Sequence, residues 1–294
     1  MVSVETTTIW WVGRCPQRQR TRENEGLAVS GDDRDTMRRN RGTAPTKRLL
    51  AAKSQIAERG PELMEIAGCL LPEDRLYDLE YDVWWASDAV DGTARVGMLS
   101  TLAAFAGPFH TLTFRPVEGV VDRGRSIATV ESTRLTGAVR LPLDATIVER
   151  NDAVARRPRL LNDATYTEGW VVRVRPLRAD DPARLLESAS TVASRLEARI
   201  RTQRIRCWPL TPEIELYEIG LECSAVLVKL NEELERRAPG EAVLVVTDDP
   251  TSPIEMVRWS DQTGHLVLAH RREEGTHQFL VRKEAHPVPR VRRP

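Results

Sequence analysis

Cys223 is the residue of this sequence best placed to do chemistry. In "IELYEIGLECSAVLVKLNEELERRA" an apolar stretch ends at Gly220, and Val226, Leu230 and Leu234 then recur at helical spacing. The pattern predicts a strand, a turn and a helix, with the thiol in the helix's first turn. Free N–H groups and the positive end of the helix dipole favour the thiolate there, the form that attacks as a nucleophile. The competing reading is a small buried hydrophobe at a strand–helix junction, where free cysteine is usually found. Cys207, in "RCWPLTP", precedes the strand instead of the helix, so its geometry is wrong for the same role. His265, His270 and His277 are spaced over predicted strands in a way that does not converge them, so no metal site is expected. Spacing reveals no Gly-rich phosphate loop, no Ser-His-Asp arrangement and no basic–aromatic nucleic-acid surface.

The elements that must position these residues fall into two textures. From about residue 76 to 176, short stretches such as "YDVWWAS", "FHTLTFRP", "SIATVEST" and "GWVVRVRP" alternate at period two between turn signals, which predicts half-buried strands. "ADDPARLLESASTVASRLEARIRTQ" predicts one helix, capped by Asp180 or Asp181, with Leu185, Leu186, Ala189, Val192, Ala193, Leu196 and Ile200 on one stripe. The prolines of "CWPLTP", residues 207–212, mark a linker. Beyond it the order is β-α-β-α-β-β. "EAVLVVTDD" reads as a fully buried strand, Ser252-Pro253 opens a helix that Gly264 closes, and Glu274-Gly275 turns a hairpin. The expected fold is α+β, a β-rich sandwich followed by a two-layer α/β sandwich.

The 294 residues divide as follows: a disordered leader over 1–63, a β-rich domain with its helix over 64–204, a linker over 205–212, a second domain over 213–284 and a frayed tail over 285–294. Translation starting at Met64 is an alternative for the leader. "TKRLLAAKSQIAERGPELMEIAGCLL" is expected to form an amphipathic helix or two. The 43 basic and 43 acidic residues balance, which gives no drive toward nucleic acid or an anionic membrane. No apolar run is long enough to span a membrane, and the start makes a poor signal peptide. The cytoplasm is the expected location, and Cys15, Cys69, Cys207 and Cys223, scattered without a CxxC, are expected to be reduced thiols.

"GTARVGM" (92–98), "GRSIATVESTR" (124–134), Pro142 and "TEGW" (167–170) resemble, in order, the glycine cleavage H-protein, a relative of the lipoyl and biotinyl carrier domains. The resemblance implies a barrel-sandwich hybrid with a carrier hairpin. It places Arg134 where the family motif, Glu-Ser-Val-Lys-Ala, has its lipoylated lysine. A guanidinium stays protonated and is not a usable nucleophile for acylation. No lysine lies between residues 54 and 228, so no neighbour substitutes, and no cofactor is expected. Arg134 is then either the mark of a domain kept for folding or docking, or a binder of an anion or a partner carboxylate.

Residues 213–284 resemble the TusA-type sulfur carriers, through "YEIGLEC", "APGE", "TDDP" and "QTGH". The family motif is Gly-Leu-x-Cys-Pro-x-Pro. The cysteine is present at Cys223, and Ser224 and Val226 replace the prolines. The resemblance implies a sulfur-relay protein that carries a persulfide on Cys223, with protein partners as sulfur donor and acceptor and a docking partner of lipoyl-carrier type. The alternative is a non-catalytic adaptor in which both modules are degenerate. A working glycine-cleavage carrier is disfavoured by the absent lysine.

Overall fold

The structure, a computed structural model, describes residues 61–117 and 119–289. Residues 1–60 of the expected leader, the helix over 46–60, Cys15 and the end of the tail lie outside them, whereas Leu63, expected in the leader, opens a strand. Residues 61–72 are not helical. They form a hairpin of β1 (Leu63–Ile66) and β2 (Cys69–Pro72). Ala67 and Gly68 turn it at positive φ, which ends any helix there. Ile66, Cys69 and Leu71 point into the protein while Leu63 and Leu70 face solvent.

The following strands build a sandwich. β3 (Leu76–Asp78), β4 (Val83–Ser87), β5 (Ala94–Met98), β7 (Val120–Val121), β10 (Ala145–Arg150), β11 (Trp170–Pro176) and the two-residue β12 (Glu187–Ser188) join a sheet of order β12-β3-β4-β5-β11-β10-β7. β6 (Phe109–Phe114), β8 (Ser126–Ser132) and β9 (Thr136–Arg140) form a second sheet, with α1 (Ser100–Ala106) leading into it. Alternate residues of both sheets meet in one core: Val83, Trp85, Val96 and Val172 from the first, Leu112, Ile127, Val130 and Val139 from the second. This is the period-two pattern made physical, since successive side chains leave a strand on opposite faces.

The loop before β11 carries two short helices, α2 (Asp152–Arg156) and α3 (Leu160–Asp163). Asn151 organises it. Its Oδ1 accepts from Ala153 N at 3.1 Å, and its Nδ2 donates to the carbonyls of Glu168 and Trp170 at 2.8 and 2.7 Å. Gly169 closes the loop where a β-carbon would run into the carbonyl oxygens of Leu160 and Ala164.

The single helix expected from residue 180 onward is broken. α4 (Asp181–Leu185) ends as Leu186 turns extended; Glu187–Ser188 pair with β3 as β12, and α5 (Ala189–Thr202) then begins. Ser188 is the cause. Its Oγ accepts from Thr191 N at 3.3 Å, and a serine caps a new helix better than it sits inside an old one. The stripe survives from Ala189 on: Val192, Leu196 and Ile200 bury Ile66, Leu71, Tyr77 and Trp84 on the outer face of the large sheet.

The second module has the expected order. β13 (Ile214–Glu218) runs parallel to β14 (Ala242–Thr247), which pairs with β16 (Thr276–Arg282), which pairs with β15 (Leu266–Glu273). α6 (Cys223–Glu235) and α7 (Ser252–Thr263) cover one face, with Val226, Leu230, Met256 and Trp259 packed on Val243, Val245, Phe279 and Val281. All six β14 positions are buried, because Leu244 and Val246 are covered from the opposite face.

The cysteines correct the expectation of reduced thiols. Cys69 of β2 and Cys207 of the linker form a disulfide, with Cα atoms 5.1 Å apart. Cys223 is the one free cysteine among the described residues. Two predictions follow from these contacts. Gly169→Ala drives a methyl into backbone carbonyls, and we expect a loss of about 1–3 kcal/mol, read as a lower denaturant midpoint at constant slope. Cys69→Ser should cost about 2–4 kcal/mol by the same measurement.

Candidate functional site

Cys223 is the first residue of α6, where the sequence pattern puts it. Glu222, before it, makes no side-chain cap. Instead the loop after β14 supplies the acceptors. Asp249 Oδ2 accepts from Cys223 N at 2.6 Å, and Asp248 Oδ1 accepts from Gly220 N at 2.8 Å. The second Asp249 oxygen accepts from both Thr251 N and Thr251 Oγ1 at 2.7 Å, which fixes the carboxylate in place. Those bonds, first of all from the Thr251 side chain, hold the Asp249 carboxyl below its usual range.

The thiol therefore differs from the sequence expectation. Cys223 is only 4% exposed, and burial, then the Asp249 and Glu255 carboxylates, push its pKa up to about 11. The helix dipole is present, but a carboxylate already sits on the amide that a thiolate would use. At rest the sulfur is a protonated, covered thiol. Asp249 was not singled out from sequence. Its signal was the "TDDP" stretch, which carries two acceptors at the end of a buried strand facing the cysteine turn.

The other residues weighed from sequence lie apart from this thiol's contacts. Contrary to the expectation that their spacing keeps them apart, the β15–β16 hairpin brings His270 and His277 together ring to ring, Nε2 to Nδ1 at 3.0 Å, beside Phe279. Burial holds both below the usual imidazole range. His265 Nδ1 accepts from Glu284 N at 3.1 Å on the turn after α7.

Arg134 stands at the tip of the β8–β9 hairpin. Ser132 shapes that tip: its Oγ accepts from Leu135 N at 3.0 Å and donates to the Ala106 carbonyl at 2.8 Å. The Arg134 guanidinium pairs at 2.7 Å with Glu215 of β13, so it meets a carboxylate of its own chain. Tyr217 donates to the other Glu215 oxygen at 2.6 Å. Burial would raise the Glu215 carboxyl, but the Tyr217 and Arg134 bonds outweigh it and hold it low. A second pair, Arg159 with Glu213 at 2.6 Å, adds to the contact. Between the tip, α1, the linker and the second module's sheet lies a cleft of about 610 Å³.

Geometry and sequence together define two carrier-type modules in one chain: a sandwich that presents a hairpin and a small α/β domain that holds a covered thiol at the start of its first helix. The comparisons with known proteins agree. Residues 75–198 match the glycine cleavage H-protein family, and residues 215–283 match sulfurtransferase TusA. The chain is 35% identical over 148 residues to glycine cleavage system H protein 5 of Aquifex aeolicus, covering 49% of this chain and 99% of that protein. It is 29% identical over 143 residues to H protein 2 of the same organism, covering 49% and 88%. A crystal structure of a glycine cleavage system H protein from Mycobacterium marinum matches at 29% identity and a TM-score of 0.38, over 43% of this chain and 98% of that one. The chain belongs to the glycine cleavage H-protein family and joins that domain to a TusA-type domain. The pairing suggests a carrier domain followed by a sulfur carrier, and such domains work with protein partners. No helix of the described residues is long and apolar enough to cross a membrane.

The clasp of Asp249 on Cys223 gives a prediction. In a Cys15→Ser background, iodoacetamide should alkylate Cys223 slowly at neutral pH, and the rate should still be climbing at about pH 10, because a raised pKa leaves little thiolate below it. Asp249→Asn keeps an acceptor for the amide and removes the charge, so it should speed alkylation at neutral pH by about ten-fold for each unit the pKa falls.

Proposed function

We propose that this chain is a sulfur-relay protein in which Cys223 carries a sulfane sulfur as a persulfide. The observation that carries this reading is the place of Cys223, at the first position of α6 directly behind β13, inside the TusA-matched segment. In the loading step the Cys223 thiolate attacks the outer sulfur of a donor persulfide. The donor's S–S bond breaks, the donor cysteine leaves as a thiolate that takes up a proton, and the chain holds Cys223–S–S⁻. The step is a transfer without net oxidation. Transfer to an acceptor thiol repeats it in the other direction. The donor and acceptor are proteins, since a covered thiol needs a docked partner to draw the Asp249 carboxylate off the Cys223 amide.

The modules of this reading are residues 64–204 and 213–284, joined through 205–212, in the cytoplasm. The first acts as a docking domain without a lipoyl arm. Arg134 stands at the hairpin tip, a guanidinium cannot be acylated as a lysine is, and no lysine occurs from 54 to 228. The ion pair with Glu215 supports an internal docking role for that tip.

A second reading, a non-catalytic adaptor with two degenerate modules, is favoured by the burial of Cys223 and by Ser224 and Val226 in place of the motif prolines. Intact mass after incubation with a cysteine desulfurase and cysteine separates the two, beside Cys223→Ala. We expect a gain of one sulfur that the variant lacks. A folded protein with no gain would decide for the adaptor.

A further inference from the structure

The Cys69–Cys207 disulfide joins residues 138 apart, and its two sulfurs sit in unlike surroundings. Cys69 is fully buried in the cluster beneath α5. Cys207 is half-buried and lines the 610 Å³ cleft beside Trp208. A small molecule entering the cleft reaches Cys207 first.

Arg271 of β15 spans both halves of the bond. Its Nη2 donates to the Cys207 carbonyl, and its guanidinium stacks on the Trp208 ring at 4.3 Å from the centroid. It also lies over the β1–β2 turn next to Cys69, where a β-carbon at Gly68 would sit 3.6 Å from Nη2. Among the described residues no carboxylate pairs with Arg271. Burial holds its pKa below the usual range; Glu273 and Glu65 oppose this from a distance, and Arg206 adds like charge. Glu273 itself is engaged by Arg206 at 2.6 Å. A half-buried guanidinium with no counter-ion lowers the cost of a nearby thiolate, and a thiol of lower pKa leaves a disulfide faster.

We propose that Cys69–Cys207 is a thiol–disulfide exchange site for a small thiol that enters by the cleft, with Arg271 as the positioning residue for the departing sulfur. The incoming thiolate attacks Cys207 Sγ. The Cys69–Cys207 bond breaks, and Cys69 leaves as a thiolate beside Arg271 and is then protonated. A second molecule of the small thiol attacks the mixed disulfide at the small-molecule sulfur and frees Cys207. Two small thiols become one disulfide, and the protein disulfide becomes two thiols. Reduction unties the linker, so the exchange controls whether the second module stays pinned against the first.

The inference stands apart from the sulfur-relay reading and is tested without Cys223. In the full chain carrying Cys15→Ser and Cys223→Ala, the oxidised pair is treated with 2-mercaptoethanol, quenched in acid and mapped by peptide mass. We expect the adduct on Cys207. Arg271→Met should slow its formation per thiolate by about ten-fold or more, and Arg271→Lys should restore most of the rate. Rescue by lysine separates charge from packing, and thermal unfolding of the oxidised variants checks that each is folded. An adduct on Cys69, reduction that proceeds only on global unfolding, or equal rates in folded Arg271→Met and the parent would overturn the proposal.

Discussion

The bond between Cys69 and Cys207 fixes where the second module's sheet can lie. The linker leaves α5, is caught at Cys207, and delivers β13 beside the hairpin tip. The ion pairs across this junction, Arg134 with Glu215 and Arg159 with Glu213, are partly exposed. Pairs of that kind contribute roughly 0–1 kcal/mol each, against about 2–4 kcal/mol for a disulfide. The placement also bears on β14. A strand of a two-layer sandwich has a free face, yet Leu244 and Val246 are buried, at the floor of the cleft that the linker and α1 also line.

Much of the fold was legible because it rests on local periodicity. Period-two stretches became the strands of the first module, and the spacing of Val226, Leu230 and Leu234 gave α6 its buried face. Gly264 at φ +79 and Glu274-Gly275, both at positive φ, stop and turn the chain where their types foretell. What was not legible is non-local or competitive. The Cys69–Cys207 partnership depends on the β1–β2 turn, which reads as helix until Gly68 is seen at positive φ. The break at Leu186 depends on Ser188 winning as a cap over a continued apolar stripe, a contest that two neighbouring residues decide.

The candidate site shows the same division. The position of Cys223 followed from sequence, but the state of its sulfur did not. A helix N-terminus and a carboxylate act on a thiol with opposite sign. The sequence displays the first directly and the second only as Asp248-Asp249, some two dozen residues away in the chain and adjacent in space. Burial then adds to the carboxylate's effect and decides the outcome. The lowered pKa expected from the helix alone fails because Asp249 has already taken the amide that a thiolate would share.

The docked hairpin tip has a consequence for recognition from outside. Arg134 and Glu215 belong to one chain, so their encounter is governed by an effective concentration set by the tether. A partner that reads the same tip must compete with this internal ligand, and its apparent affinity falls by the fraction of time the tip is free. Cutting the tether at Cys207 dilutes the internal competitor without altering one atom of the tip. The internal pair at that hairpin has a strength set jointly by the peptide between β11 and β13 and by the Arg134–Glu215 contact itself.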